Sequence, residues 1–174
     1  MKKHFPFFTL VFLLIIVLAG CAQTKQYTPQ PIGTQYNLTG MPADLVRVQV
    51  NDLRAERKNS EQLIQGIKGQ ILSALSTKKI TGNRSFYSLQ IDIIEHRSFF
   101  TLGNWNASTK LRIRLIGPKN NIIGNWKAEG NAHRSNMWGY ATSKAVSQDA
   151  YDIAIADMMS ILSSVSLPAY NIRK

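Results

Sequence analysis

The feature that most restricts the fold is the way the apolar period switches along the chain. Val46, Val48 and Val50 alternate with Arg47, Gln49 and Asn51, the period-two pattern of a strand with one buried face. Leu63, Ile64, Ile67, Ile71 and Leu75 then recur at helical spacing, with Asn59 and Gln62 placed as a capping box and Thr81-Gly82-Asn83 as a stop. Tyr87, Leu89, Ile91 and Ile93 alternate again, and so do Leu111, Ile113 and Leu115. Gly117 to Asn121 has hairpin-turn chemistry, and Ile122 to Glu129 returns as a fourth strand with Gly124 as a bulge position. From Ser143 onward, Tyr151, Ile155, Met158, Leu162 and Val165 mark one helical face, with Asp149 and Asp152 in turns where the helix dipole favours acids.

Each of these strands has one apolar face and each helix one apolar stripe. A single shared core therefore predicts a two-layer α+β sandwich, β-α-β-β-β-α, with a four-stranded mixed or antiparallel sheet and both helices on one face. The other sheet face is expected to be polar.

Ahead of this domain, Lys2 and Lys3 precede Phe7 to Leu18, twelve residues in which only Thr9 is polar. That run is too short to span a bilayer, which takes about 20 apolar residues, and has the layout of an export signal. It ends in Leu18, Ala19, Gly20 and Cys21, which resembles the lipobox of bacterial lipoproteins. The resemblance implies that the Cys21 sulfur receives a diacylglyceryl group and that its amine is acylated after cleavage. Burial of acyl chains contributes about 0.8 kcal/mol per CH2, so two or three chains hold firmly. Ala22 follows where an aspartate would imply retention at the inner membrane, so the resemblance implies delivery to the outer membrane. The expected organisation is a signal peptide over 1–20, lipidated Cys21 with a Gln-, Thr- and Pro-rich extended tether over 21–40, one domain over 41–168 and a polar tail over 169–174.

Charge is read with that organisation in mind. The chain holds 21 basic and 10 acidic residues, and cleavage removes only Lys2 and Lys3 of these, so the mature protein keeps an excess of nine positive charges. A lipid-anchored protein outside the cytoplasm meets little nucleic acid. Its expected contacts are the bilayer through Cys21, anionic envelope components and another envelope protein.

Catalytic and metal chemistry find no support in the spacing. Cys21 is the only cysteine, and His96 and His133 are the only histidines after the signal, so no zinc-ligand or H-E-x-x-H pattern exists. No G-x-S-x-G elbow or phosphate-cradling glycine loop is present, and Glu95 and His96, adjacent on a strand, point to opposite faces. No cofactor and no metal are expected.

Three groups remain. Asp52-Leu53-Arg54 follows the first strand, where Asp52 suits free backbone donors of a turn and Arg54 a forked pair with a carboxylate. Lys110, Arg112 and Arg114 form a basic sheet face, either an anion-binding stripe or a solvated surface that resists sheet stacking. The strand order also predicts that a loop over Ser98–Ser108 and a connection over Asn131–Thr142 emerge together. They carry Phe99, Phe100, Leu102 and Trp105, and Met137, Trp138 and Tyr140, with Arg97, His133 and Arg134 at their edges. These rings either form a binding patch or cap the open end of the core.

The lipobox, the Val46-to-Val50 strand running into Asp52-Leu53-Arg54, the amphipathic helix, the meander and the Ala-rich helix through Ile153 to Met158 together resemble the YajG-type family of bacterial lipoproteins. That resemblance implies a periplasm-facing outer-membrane lipoprotein of a Gram-negative bacterium, without catalysis, with an interaction or structural role in the envelope. The alternative is an accessory lipoprotein of an envelope lipid or small-molecule transport system, whose hallmark is a concave apolar groove.

Overall fold

A computed structural model describes residues 29–30, 32, 35–77, 86–136, 139 and 141–167. The expected signal, Cys21, the tail over 169–174, and Met137, Trp138 and Tyr140 lie outside the described residues. The elements are β1 (Leu38–Pro42), β2 (Val46–Asp52), α1 (Ser60–Ala74), β3 (Leu75–Ser76), β4 (Tyr87–Thr101), β5 (Asn104–Ile116), β6 (Ile122–Ser135) and α2 (Ser143–Ser163).

The main sheet has the order β2-β4-β5-β6, with β2 parallel to β4 and the other two pairs antiparallel. This is the expected α+β architecture with a mixed sheet. One core joins the inward residues Val46, Val48, Leu89, Ile91, Ile93, Leu111, Ile113 and Leu115 to Leu63, Ile67 and Ile71 of α1 and to Tyr151, Ile155, Met158 and Leu162 of α2. Both helices thus cover one face, and the Tyr151 hydroxyl donates to Gln70 Oε1 at 3.1 Å to link them.

Four local expectations change. The strand β4 and its partner β5 do not stop at a loop from Ser98 to Ser108. They continue as one long hairpin, paired from Ser88↔Ile116 to Thr101↔Asn104. Strand β6 likewise runs on to Ser135, six residues beyond the expected end at Glu129. Asn59 makes no side-chain cap and sits at φ 55°, so the predicted capping box is replaced by a left-handed turn into α1. The chain also joins the fold before residue 41: Ile32 and Tyr36 pack against the core, and β1 pairs in parallel with β3 with Leu38 and Met41 fully buried.

The turn over Gly117–Asn121 forms as expected, closed by Gly117 N–H to Asn121 O at 2.8 Å. The irregularity beside it leaves Ile123 unpaired between Ile116↔Ile122 and Leu115↔Gly124, next to the predicted bulge position. A Cβ on Gly124 would run into the Trp126 ring, so glycine there makes room for an indole lying along the strand.

Candidate functional site

At the end of β2 the chain turns sharply into α1, and Asp52 organises the turn. Its Oδ1 accepts from the Arg54 backbone N–H at 3.1 Å and from Arg54 Nε at 2.9 Å, while Oδ2 accepts from the same guanidinium at 2.7 Å. The forked pair read from the sequence therefore closes within the tripeptide. The rest of the guanidinium donates to the carbonyls of His96 at 3.4 Å and Lys58 at 3.1 Å, tying β4 and the approach to α1 into the same knot. Burial alone would raise the Asp52 pKa, but hydrogen bonds from Arg54 and Ser60 outweigh it and hold the carboxyl down at about 2.

An open depression of about 370 Å3 lies beside this knot, lined by Arg54 to Glu56 and Ile94 to Arg97. Its titratable groups are already engaged. His96 turns inward, with Nδ1 3.0 Å from Thr109 Oγ1 and its ring edge-on to Tyr151. Glu95 turns outward, onto Lys110 at 3.0 Å and Arg97 at 2.9 Å, so the two neighbours do face opposite ways. Burial drives the Tyr151 phenol well above its ordinary pKa, with the Asp152 charge adding to the effect, so it acts as a neutral donor.

The uncovered sheet face holds Lys110, Arg112 and Arg114 in a row, and it also holds the acids that meet them. Asp92 is 1% exposed. It accepts from Arg112 at 2.7 and 3.0 Å, from Arg114 at 2.9 Å and from Asn51 at 2.9 Å. Burial raises its pKa, and the Asn51 and Arg112 hydrogen bonds with the two guanidinium charges bring it below the ordinary carboxylate value. Glu95 is lowered in the same way, burial opposing and Lys110 and Arg97 prevailing. Sequence reading of this face singled out the cations and missed Asp92. Its signal was an acid at an outward position between Ile91 and Ile93, directly across the ladder from Arg112.

Among the described residues, Phe99, Phe100 and Trp105 lie at the same end of the sheet, though not on one loop. Because β4 and β5 stay paired, Phe99 and Phe100 fall on opposite faces. Phe99 lies on the uncovered face with Asn106 and His133, around an open depression of about 270 Å3, and the Arg97 guanidinium sits 5.6 Å from its ring centroid. Phe100 lies on the helix side, edge-on to Trp105 at 5.3 Å. Trp105 is half-buried against Ala107, Val146 and Ala150, so this ring serves partly as core cover. Arg134 is not a free rim cation: it grips Asp149 of α2 at 2.7 and 2.9 Å, which raises its pKa.

Leu102 occupies the hairpin tip at φ 49°, followed by Gly103 at φ 79°, and is 94% exposed. Two positive φ values make this a type I′ turn, where Asn-Gly is the favoured pair. A left-handed leucine costs about 1–2 kcal/mol. An apolar side chain is held in water, in an unfavourable backbone conformation.

No family model matches the chain, and no curated protein matches it. Solved structures give likenesses of layout. The hypothetical protein CT253 from Chlamydia trachomatis aligns with TM-score 0.46 at 10% identity, over 68% of this chain and 95% of that one. Lipoprotein GNA1162 from Neisseria meningitidis aligns with TM-score 0.36 at 10% identity, over 68% and 99%. PelC from Paraburkholderia phytofirmans, a dodecamer, aligns with TM-score 0.38 at 12% identity, over 83% and 99%.

Proposed function

We propose that this chain is a lipid-anchored envelope protein, facing the periplasm from the outer membrane, whose work is to meet another envelope component rather than to catalyse a reaction. The observation that carries the reading is Leu18-Ala19-Gly20-Cys21 closing a twelve-residue apolar run behind Lys2 and Lys3. Ala22 after the cysteine supports the outer membrane as the destination. The side chains of the fold support a binding role. Asp52, Asp92, Glu95 and Asp149 are engaged in ion pairs, whereas Leu102 and Phe100 at one end are left exposed. Feeding radiolabelled palmitate to cells tests the anchor: the wild-type protein is expected to carry label and to float with outer-membrane fractions, and Cys21→Ala to lose both. Unlabelled, uncut polypeptide in the cytosol would overturn the reading.

A further inference from the structure

Exposed apolar residues occur at both ends of the sheet. Leu102 and Phe100 mark the β4–β5 tip, and Ile122 and Ile123 follow the β5–β6 turn. The thirteen residues of β5 separate the two ends by about 40 Å at roughly 3.4 Å per residue. Exposure alone does not choose between them.

The point at which the chain enters the fold does. Gln30 N–H donates to Gln148 Oε1 at 2.7 Å, and Gln148 Nε2 returns a bond to Gln30 O at 2.9 Å. Gln148 lies near the start of α2, beside Val146 and Ala150, which pack against Trp105 and Ala107 of the hairpin. From Gln30 the chain passes Ile32 and Tyr36 to β1, where Gly40 O accepts from Leu167 beyond the other end of α2. The amino-terminal segment thus arrives at the tip end of the domain. Only eight residues lie between Cys21 and Gln30, and the nine steps they span reach about 30 Å when fully drawn out. Turning the far end toward the anchor would set Gln30 about 20 Å or more from the surface, the length of α2 beyond Gln148, and use most of that reach.

We infer that the component met by the aromatic end is the lipid bilayer itself: the β4–β5 tip faces the membrane that holds Cys21, and Leu102 and Phe100 enter its interfacial layer. This rests on the anchored reading above. Leu102 leads, Phe100 follows, and Trp105 behind them stands at the level where indole rings favour the headgroups. The positive charge of the mature chain favours anionic lipid phosphates.

The test uses the lipidated protein in vesicles of phosphatidylethanolamine and phosphatidylglycerol. The sulfur of Cys21 is blocked there as a thioether, so Leu102→Cys and Lys119→Cys each take one environment-sensitive fluorophore. The expected result is a blue-shifted label at 102, quenched several-fold more by acyl-chain nitroxides than the label at 119. Hydrogen exchange of the unsubstituted protein should show the amides of 101–104 slowed on vesicles. Leu102→Asn suits the turn and should fold at least as well while losing that protection. Equal exposure of both labels on protein that floats with the vesicles would overturn the inference and leave the anchor standing, as would deeper quenching at 119. Protection of 102 in intact cells but not on vesicles would also overturn it, in favour of a protein partner. Protein that fails to float removes the anchored reading and the inference together.

Discussion

At the scale of single residues, the knot at Asp52 and Arg54 shows how a buried charge is tolerated. The pair is almost wholly enclosed, and Arg54 spends its remaining donors on the carbonyls of His96 and Lys58. A buried pair of this kind is often no more stable than apolar residues of the same volume, but losing one partner strands the other charge. Asp52→Ala is therefore expected to cost about 3–5 kcal/mol. Asp52→Leu combined with Arg54→Met should recover much of that loss, because no uncompensated charge remains. Urea unfolding of the mature chain with each substitution measures both values, and a double variant no better than Asp52→Ala would show that the turn geometry, not the stranded charge, sets the cost.

At the scale of elements, the packing of α2 on β6 depends on small residues. A Cβ on Gly130 would collide with the Ala150 carbonyl oxygen and approach Ala154 N to 2.6 Å, and Ala128, Ala150 and Ala154 are fully buried around it. The helix backbone therefore lies almost directly on the strand, which accounts for the alanines of the last helix. Gly130→Ala should lose about 1–3 kcal/mol by overpacking. Gly69→Ala in α1, where no atom beyond the flanking residues and the helix's own backbone lies within 4 Å of the added carbon, should gain up to about 1 kcal/mol from helix propensity. Thermal unfolding of the two variants gives the comparison, and equal losses would contradict it. The main elements were legible because their apolar periods persist for several residues. Tyr151, Ile155, Met158 and Leu162 are all buried, as their spacing requires. The length of the β4–β5 hairpin was not legible. Ile94 is skipped in the pairing between Ile93 and Glu95, which breaks the alternation, and the turn uses Leu102 where Asn would have announced it. Strands β1 and β3, five and two residues long, are too short to display a period. Of the candidate patch, Phe99, Phe100 and Trp105 share one end of the hairpin, and their division between two faces depends on pairing that continues past Ser98.

At the scale of the whole molecule, the carboxylates that join the strands also set how the fold responds to acid. Asp52 ties the end of β2 to Arg54 and through it to β4, Asp92 joins β2, β4 and β5, and Glu95 joins β4 to β5. All three have folded pKa values below their ordinary ones, Asp52 at about 2 against 3.8. A group lowered by folding stabilises the protein above its unfolded pKa, and that contribution disappears as pH falls through the folded value. For Asp52 the contribution is about 2 kcal/mol. Protonation also removes acids from a mature chain that already carries nine more positive than negative charges, so self-repulsion grows over the same interval. Stability should therefore vary little from pH 8 to 5, begin to fall near pH 4 and drop steeply toward pH 2. The urea midpoint of the mature chain measured across that range checks the sign. Asp92→Asn should lower the midpoint at pH 7, where Arg112 and Arg114 lose their common anion, and flatten its fall below pH 4, where the wild type loses it too. A midpoint that stayed constant down to pH 2 would mean that the ion pairs joining β2, β4 and β5 contribute nothing to holding the sheet together.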